Sequence, residues 1–147
     1  GAALARVAQG GGEAAPWLLR MDSDEAEALA GHALPDREGS AALAETLRAR
    51  GAARYVVIAR GADGSVMAGP DGCWHASAAG VAVVSAVGAG DSFVGGMMRA
   101  LAAGESPPEA LRHGAAAASA AVVTPGTALC RRADFEAMLP RCVLSRP

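Results

Sequence analysis

Residues 81–99 read VAVVSAVGAGDSFVGGMMR, a β-branched apolar run that passes through Gly88-Ala89-Gly90 directly into a helical pattern. A strand that feeds a helix through so short a turn is one limb of a βα unit. Such strands are covered on their faces by helices, so the feature points to an α/β layered sheet.

The remaining pattern agrees with that class. Residues 1–9 read as a short helix ended by Gly10-Gly11-Gly12, and residues 17–19 as a short buried strand. Asp22 and Ser23 are both suited to capping a helix that continues over residues 25–29 and closes at Gly31. Ser40 is expected to cap a second helix, AALAETLRAR, with Gly51 just past its end. Residues 54–60 form a β-branched strand, residues 61–64 a turn, and residues 65–68 and 73–76 a hairpin around Gly69-Pro70-Asp71-Gly72. Residues 81–84 are one more strand. Helices are expected from near Asp91 to Gly104, from Ser106 onward, and over residues 132–139, with a break at Thr124-Pro125-Gly126-Thr127. Ser106, Pro107 and Glu109 have capping-box spacing. A length of 147 residues has room for one domain.

Composition narrows the chemistry. All 13 basic residues are Arg, which excludes a Walker-A lysine, a Schiff-base lysine and a lysine nucleophile within these residues. A net charge of −2 offers no electrostatic reason for nucleic acid or an anionic membrane as partner. No apolar run has the roughly 18 residues of a spanning helix. Cys73, Cys130 and Cys142 lack metal-ligand spacing, and their odd number fits a reduced, cytoplasmic compartment. With only 3% aromatic residues, the core has to be built from Ala, Val and Leu. His32, His75 and His113 are scattered and read as ordinary surface or half-buried residues.

The turn at residues 88–90 is an anion site in outline. Glycine lets successive backbone N–H groups converge, and a helix start adds free donors and positive potential. A carboxylate at Asp91 can take a proton from a hydroxyl while the same N–H groups stabilise charge on a transferring phosphoryl group. The plainer alternative is a loop with a capping aspartate. The dinucleotide pattern fails, because Phe93 stands where its third glycine belongs. Gly95 and Gly96 weaken a helix relative to Ala, so they imply a close packing or a ligand.

The stretch Val87-Gly-Ala-Gly-Asp-Ser-Phe-Val-Gly-Gly96 resembles the C-terminal signature of the ribokinase-like (PfkB) carbohydrate kinases. Residues 112–130, ending Thr-Pro-Gly-Thr-Ala-Leu-Cys, resemble the tail of the minor 6-phosphofructokinase branch. Asp22-Ser-Asp-Glu25 stands where the family has Asn-x-x-Glu, and residues 59–64, ARGADG, where it has Ser/Thr-x-Gly-x-x-Gly. The motifs fall in order across residues 13–140. Sister enzymes acting on 1-phosphofructose or tagatose 6-phosphate share much of this pattern.

The resemblance implies a ribokinase-like layered sheet flanked by helices, with residues 1–147 as the C-terminal, nucleotide-binding half of one domain and the N-terminal half and lid lying outside them. It implies phosphoryl transfer from ATP to a sugar-phosphate hydroxyl, fructose 6-phosphate first among them. Asp91 would be the general base, and Gly88, Ala89 and Gly90 the anion hole. Glu25 and Asp22 would hold Mg²⁺. Arg20 would lie near the phosphates, where the family has Lys. Ala59, Gly61 and Gly64 would approach the nucleotide, and Ala115 and Ser119 would line its adenine side. Ser85, Val87, Ala121, Thr124, Gly126 and Ala128 match positions that hold a monovalent cation, K⁺, largely through carbonyl oxygens. Asp22 for Asn, Ala59 for a hydroxyl residue, Ala86 for Thr and Ala128 for Arg are departures from the pattern. A half-sheet has an edge that a second copy could cover as a homodimer. The chain alone is expected not to phosphorylate the sugar, even if it binds MgATP. Two other readings stand beside this one: a nucleotide-binding module without turnover, and an unrelated α/β domain of structural role.

Overall fold

The computed structural model describes residues 16–81, 88–123 and 132–147. Their elements run β1 (Leu18–Asp22), α1 (Ser23–Ala30), α2 (Arg37–Ala49), β2 (Tyr55–Ala59), β3 (Ser65–Gly69), β4 (Gly72–Ala76), α3 (Ala89–Ala102), α4 (Pro107–Val122), α5 (Arg132–Met138) and β5 (Leu144–Ser145). The strands form one mixed sheet in the order β1-β2-β3-β4-β5. The chain divides into two compact units. The first comprises Gly1–Gly61, Ser65–His75 and Ser145–Pro147; the second comprises Ala62–Gly64 and Ala76–Leu144.

In the first unit β1 pairs with β2 in parallel, from Leu18 against Tyr55 to Asp22 against Ala59. β2 pairs antiparallel with β3. Four consecutive residues of β2, Tyr55 to Ile58, are buried, the signature of a strand covered on both faces. The core is aliphatic and small: Met21, Ala26, Leu34, Ala44, Ala53, Val56, Ile58, Val66 and Ala68. Two aromatics serve this sheet. Trp17 and Tyr55 tilt against each other at 4.6 Å, and the Tyr55 ring covers Gly69, where a Cβ would lie 2.6 Å from it. Gly69 therefore keeps the strand end open for the ring, and Pro70-Asp71 completes the expected hairpin.

The second unit is built on α3 against α4. Gly96 makes this crossing close: a Cβ there would meet the Ala117 Cβ at 2.7 Å and the His113 carbonyl oxygen at 2.8 Å. Gly114 answers from the other helix, against Met97 and Phe93 at 3.0 Å. The packing reason expected for the paired glycines holds for Gly96; Gly95 has open space around it. Helix α4 starts as the capping box implies, with the Ser106 hydroxyl accepting from the Glu109 N–H. Arg112 joins Glu109 and donates to the Leu139 carbonyl at 2.6 Å, tying α4 to the chain after α5. Met97 is fully buried, as core filler should be.

Some expectations are corrected. Asp36, not Ser40, caps α2, accepting from the Gly39 N–H at 2.7 Å. Ser40 lies inside the helix, buried, with its hydroxyl taken by the Arg60 guanidinium. Helix α3 starts at Ala89, so Asp91 stands inside its first turn. Strand β5 has no counterpart in the sequence reading. The helix over residues 1–9, the strand over 81–84 beyond residue 81, and the break at 124–127 lie outside the described residues.

Candidate active site

The first unit gathers residues at the C-terminal ends of its parallel strand pair, the place where open α/β sheets bind ligands. Asp22 and Ala59 are Cα partners on the last rung. Asp22 caps α1, its Oδ1 accepting from the Glu25 N–H at 2.8 Å. One oxygen of Asp22 is thus committed to the helix, the structural role that capping acids usually fill. The Ser23 hydroxyl crosses to β2 and donates to the Ala59 carbonyl at 2.9 Å. Glu25 is half-buried, and its Oε2 is shielded with no hydrogen-bond partner among the described residues. Arg20 lies two residues upstream of Asp22 on β1, opposite Val57. Gly61 follows in the left-handed region, at φ 59°, and opens a 3-10 turn.

The sequence pattern does not single out Arg60. Its guanidinium donates to the carbonyls of Leu34 and Pro35, each at 3.0 Å. It thereby anchors the end of β2 to the connection between α1 and α2. Nothing local in the sequence signals that role, because the acceptors lie 26 and 25 residues away.

The second unit carries the other set. Gly88 is the N-cap of α3 at φ 82°, a left-handed conformation that favours glycine. Among the described residues no side chain caps this helix. The first bond of the helix runs from the Ser92 N–H to the Gly88 carbonyl at 2.9 Å, which leaves the N–H groups of Ala89, Gly90 and Asp91 without an intrahelical acceptor. Asp91 is exposed in that first turn. The arrangement can do two things: bind an oxyanion on backbone donors, and offer a carboxylate beside it to take a proton.

Gly64 also belongs to the second unit, buried and at φ 84°. Ala115, Ser119 and Ala121 lie on α4, all buried. The Ser119 hydroxyl accepts from the Ala79 N–H at 3.2 Å, so it also holds the segment after β4. Burial pushes the Cys142 thiol upward, with the neighbouring Ser119 hydroxyl opposing. Ser85, Val87, Thr124, Gly126 and Ala128 lie outside the described residues.

The fit to Mg²⁺ can be tested on the first unit. Hard carboxylate oxygens suit that ion, and the shielded Oε2 of Glu25, without a hydrogen-bond partner among the described residues, fits such a ligand. No group of three or more His, Cys, Asp or Glu among the described residues could hold a metal alone.

A model of the pfkB family carbohydrate kinases matches residues 11–134. The chain belongs to that family. Curated relatives within it include the 1-phosphofructokinase of Escherichia coli K12, 40% identical over 129 residues, which cover 88% of this chain and 41% of the relative. The ATP-dependent 6-phosphofructokinase isozyme 2 of Mycobacterium tuberculosis H37Rv is 35% identical over 120 residues, covering 82% of this chain and 35% of the relative. Among solved structures, phosphofructokinase-2 of E. coli in complex with potassium superposes with a TM-score of 0.78 at 31% identity, over 86% of this chain and 41% of that one. Ribokinase from Thermotoga maritima gives 0.72 at 28%, over 84% and 42%. The ribokinase-like fold expected from the pfkB motifs is therefore the observed one. The chain spans about two fifths of the length of the 1-phosphofructokinase it matches.

Proposed function

We propose that this pfkB-family chain serves ATP-dependent phosphorylation of a phosphofructose hydroxyl. The observation that carries the reading is the start of α3: backbone donors with no side-chain cap among the described residues, and Asp91 exposed in the same turn. The hydroxyl oxygen of the sugar attacks the γ-phosphorus of ATP. A new P–O bond forms, the bond to the β–γ bridging oxygen breaks, and ADP leaves. The Asp91 carboxylate accepts the hydroxyl proton, and the open amides of residues 89–91, one residue further on than the sequence expectation of 88–90, stabilise charge on the transferring group. Glu25, aided by Asp22, would hold Mg²⁺, which when bound neutralises charge on the phosphates. The left-handed glycines at 61 and 64 let the backbone approach the nucleotide, and Arg20 adds a cation for its phosphates. Residues 1–147 are read as the C-terminal, nucleotide-side part of one such domain, on the order of their motifs. K⁺ is proposed as the monovalent ion, on the potassium complex of the E. coli neighbour.

Fructose 6-phosphate is the substrate that the branch motifs favour. The 40% identity to a 1-phosphofructokinase favours fructose 1-phosphate instead, and both routes end in fructose 1,6-bisphosphate. Calorimetry of this chain with MgATP tests the nucleotide half of the reading; absence of binding overturns it. A coupled ADP assay of the full-length kinase with each phosphofructose separately tests the other half. The expected result is turnover at least tenfold faster with one isomer. Turnover with neither would leave a nucleotide-binding module.

A further inference from the structure

The first turn of α1 is held by two side chains that do different jobs. Asp22 does what a helix cap does, accepting from the Glu25 N–H. Ser23, the first helical residue, is equally suited to capping by type, yet its hydroxyl donates out of the helix to the Ala59 carbonyl at 2.9 Å. The two residues are 36 apart in sequence and meet because Asp22 and Ala59 form the last rung of the β1–β2 ladder. One residue past that rung the strands diverge, β1 into a helix and β2 toward a 3-10 turn. The Ser23 bond therefore continues the strand pairing by one side-chain step, into the turn that carries Glu25.

Glu25 is where such anchoring has a consequence. Its Oε2 is shielded and has no hydrogen-bond partner among the described residues. Placement of that oxygen depends on the backbone beneath it, fixed by Asp22 from one side and Ser23 from the other. A cation ligand must be held to within about half an ångström to be effective.

We infer that Ser23 is a positioning residue for divalent-cation binding at Glu25, acting through its hydrogen bond to the Ala59 carbonyl. The inference rests on the reading of Glu25 as the Mg²⁺ carboxylate. Ser23 itself touches neither cation nor nucleotide. Its hydroxyl sets the rotation and height of the first helical turn against the end of β2.

The test is Mn²⁺ binding to the protein in the presence of ATP, followed by electron paramagnetic resonance, beside ATP binding in the presence of EDTA. In Ser23→Ala, Mn²⁺ affinity is expected to fall about threefold to tenfold, the range for one lost hydrogen bond. Metal-free ATP affinity is expected to stay within twofold. Ser23→Thr, which keeps the hydroxyl, should restore Mn²⁺ affinity. Ser23→Cys keeps the size with a weak donor and should fall between, and it replaces the alanine variant if that one does not fold. Glu25→Gln separates this inference from the reading beneath it. A loss of Mn²⁺ affinity in Glu25→Gln with none in the Ser23→Ala or Ser23→Cys variant overturns the role of Ser23 alone. Unchanged affinity in Glu25→Gln, or no Mn²⁺–ATP binding by the parent protein, overturns both. An equal loss of metal-free ATP affinity, unrescued by Ser23→Thr, marks Ser23 as structural only and overturns its positioning role.

Discussion

Helices α1 and α3 begin in opposite ways. α1 is short, with Ala26 as its one buried residue, and its start is closed by the Asp22 side chain. α3 has 14 residues, buries Ser92, Phe93, Met97 and Ala100, and starts on a left-handed glycine with no side-chain cap among the described residues. A helix with little packing depends on local capping, worth typically about 1 kcal/mol. A helix anchored by tertiary contacts can leave its first N–H groups open. The closed start surrounds itself with carboxylates, Asp22, Asp24 and Glu25, and suits a cation. The open start presents donors and suits an anion. The contrast shows that an uncapped helix start can be maintained where packing further along the helix supplies the stability.

Asp91→Asn removes the proton acceptor while leaving the open donors in place. Turnover of the full-length kinase at saturating substrate is expected to fall about 10²- to 10⁴-fold, with unchanged thermal stability. Near-normal turnover would reduce the α3 start to an anion site without catalysis.

Gly96→Val attacks the packing on which the open start depends. Its Cβ would meet Ala117 at 2.7 Å and a backbone oxygen at 2.8 Å, and the backbone atom cannot swing away. A loss of about 1–3 kcal/mol or more in urea unfolding is expected. Tolerance of valine would mean that α3 is not held by this crossing. Gly95→Ala, with open space around it, is the control and should not destabilise.

Asp22→Ala opens the closed start. About 1 kcal/mol of stability should be lost, and Asp22→Asn, which still caps, should retain nearly all of it. Asparagine also restores the residue expected at this place in the motif. Any change in Mg²⁺ dependence between the parent protein and the Asp22→Asn variant therefore reports charge alone. Equal stability of all three proteins would show that α1 does not depend on its cap.

The smallest effect concerns the α4 start, closed like α1. The Arg112 guanidinium, first by its hydrogen bond, holds the Glu109 carboxyl below its ordinary value of 4.5. A carboxyl lowered in the folded state contributes stability that is complete above its unfolded value and disappears as pH falls through the lowered folded value. Arg112→Ala should therefore reduce stability at pH 7 and flatten its decline below about pH 4.5. A decline that is unchanged in slope would remove the pair from the acid response.

Elements whose signals are local are legible in the sequence. The α4 capping box, the β2 run and the Pro70-Asp71 hairpin each depend on residues within a few positions of one another, and each forms as expected. The α2 cap is not legible in this way. Ser40 and Asp36 are both competent, and the choice is made from outside: Arg60, just past β2, occupies the Ser40 hydroxyl. Strand β5 has two residues and no pattern of its own. It exists through pairing, beside the exchange in which the Ser77 N–H donates to the Val143 carbonyl and the Val143 N–H to the Ser77 hydroxyl. Of the candidate site, residue types and their order are visible in the sequence, while the bond from Ser23 to Ala59 and the contacts of Gly96 are not.

Fold class, family and the residue types offered at each helix start are all written in the local pattern of the chain. Periodicity, capping residues and glycine placement act through near neighbours, and those forces are present in any environment. Packing of distant segments selects which of two competent caps is used, which glycine is needed for space rather than for φ, and which hydroxyl crosses between elements. Those outcomes depend on groups such as the His113 carbonyl beside Gly96 and the Ala59 carbonyl beside Ser23. Hydrogen bonds and hard-sphere contacts act over a few ångströms, so a partner 36 residues away exerts no effect until the fold delivers it.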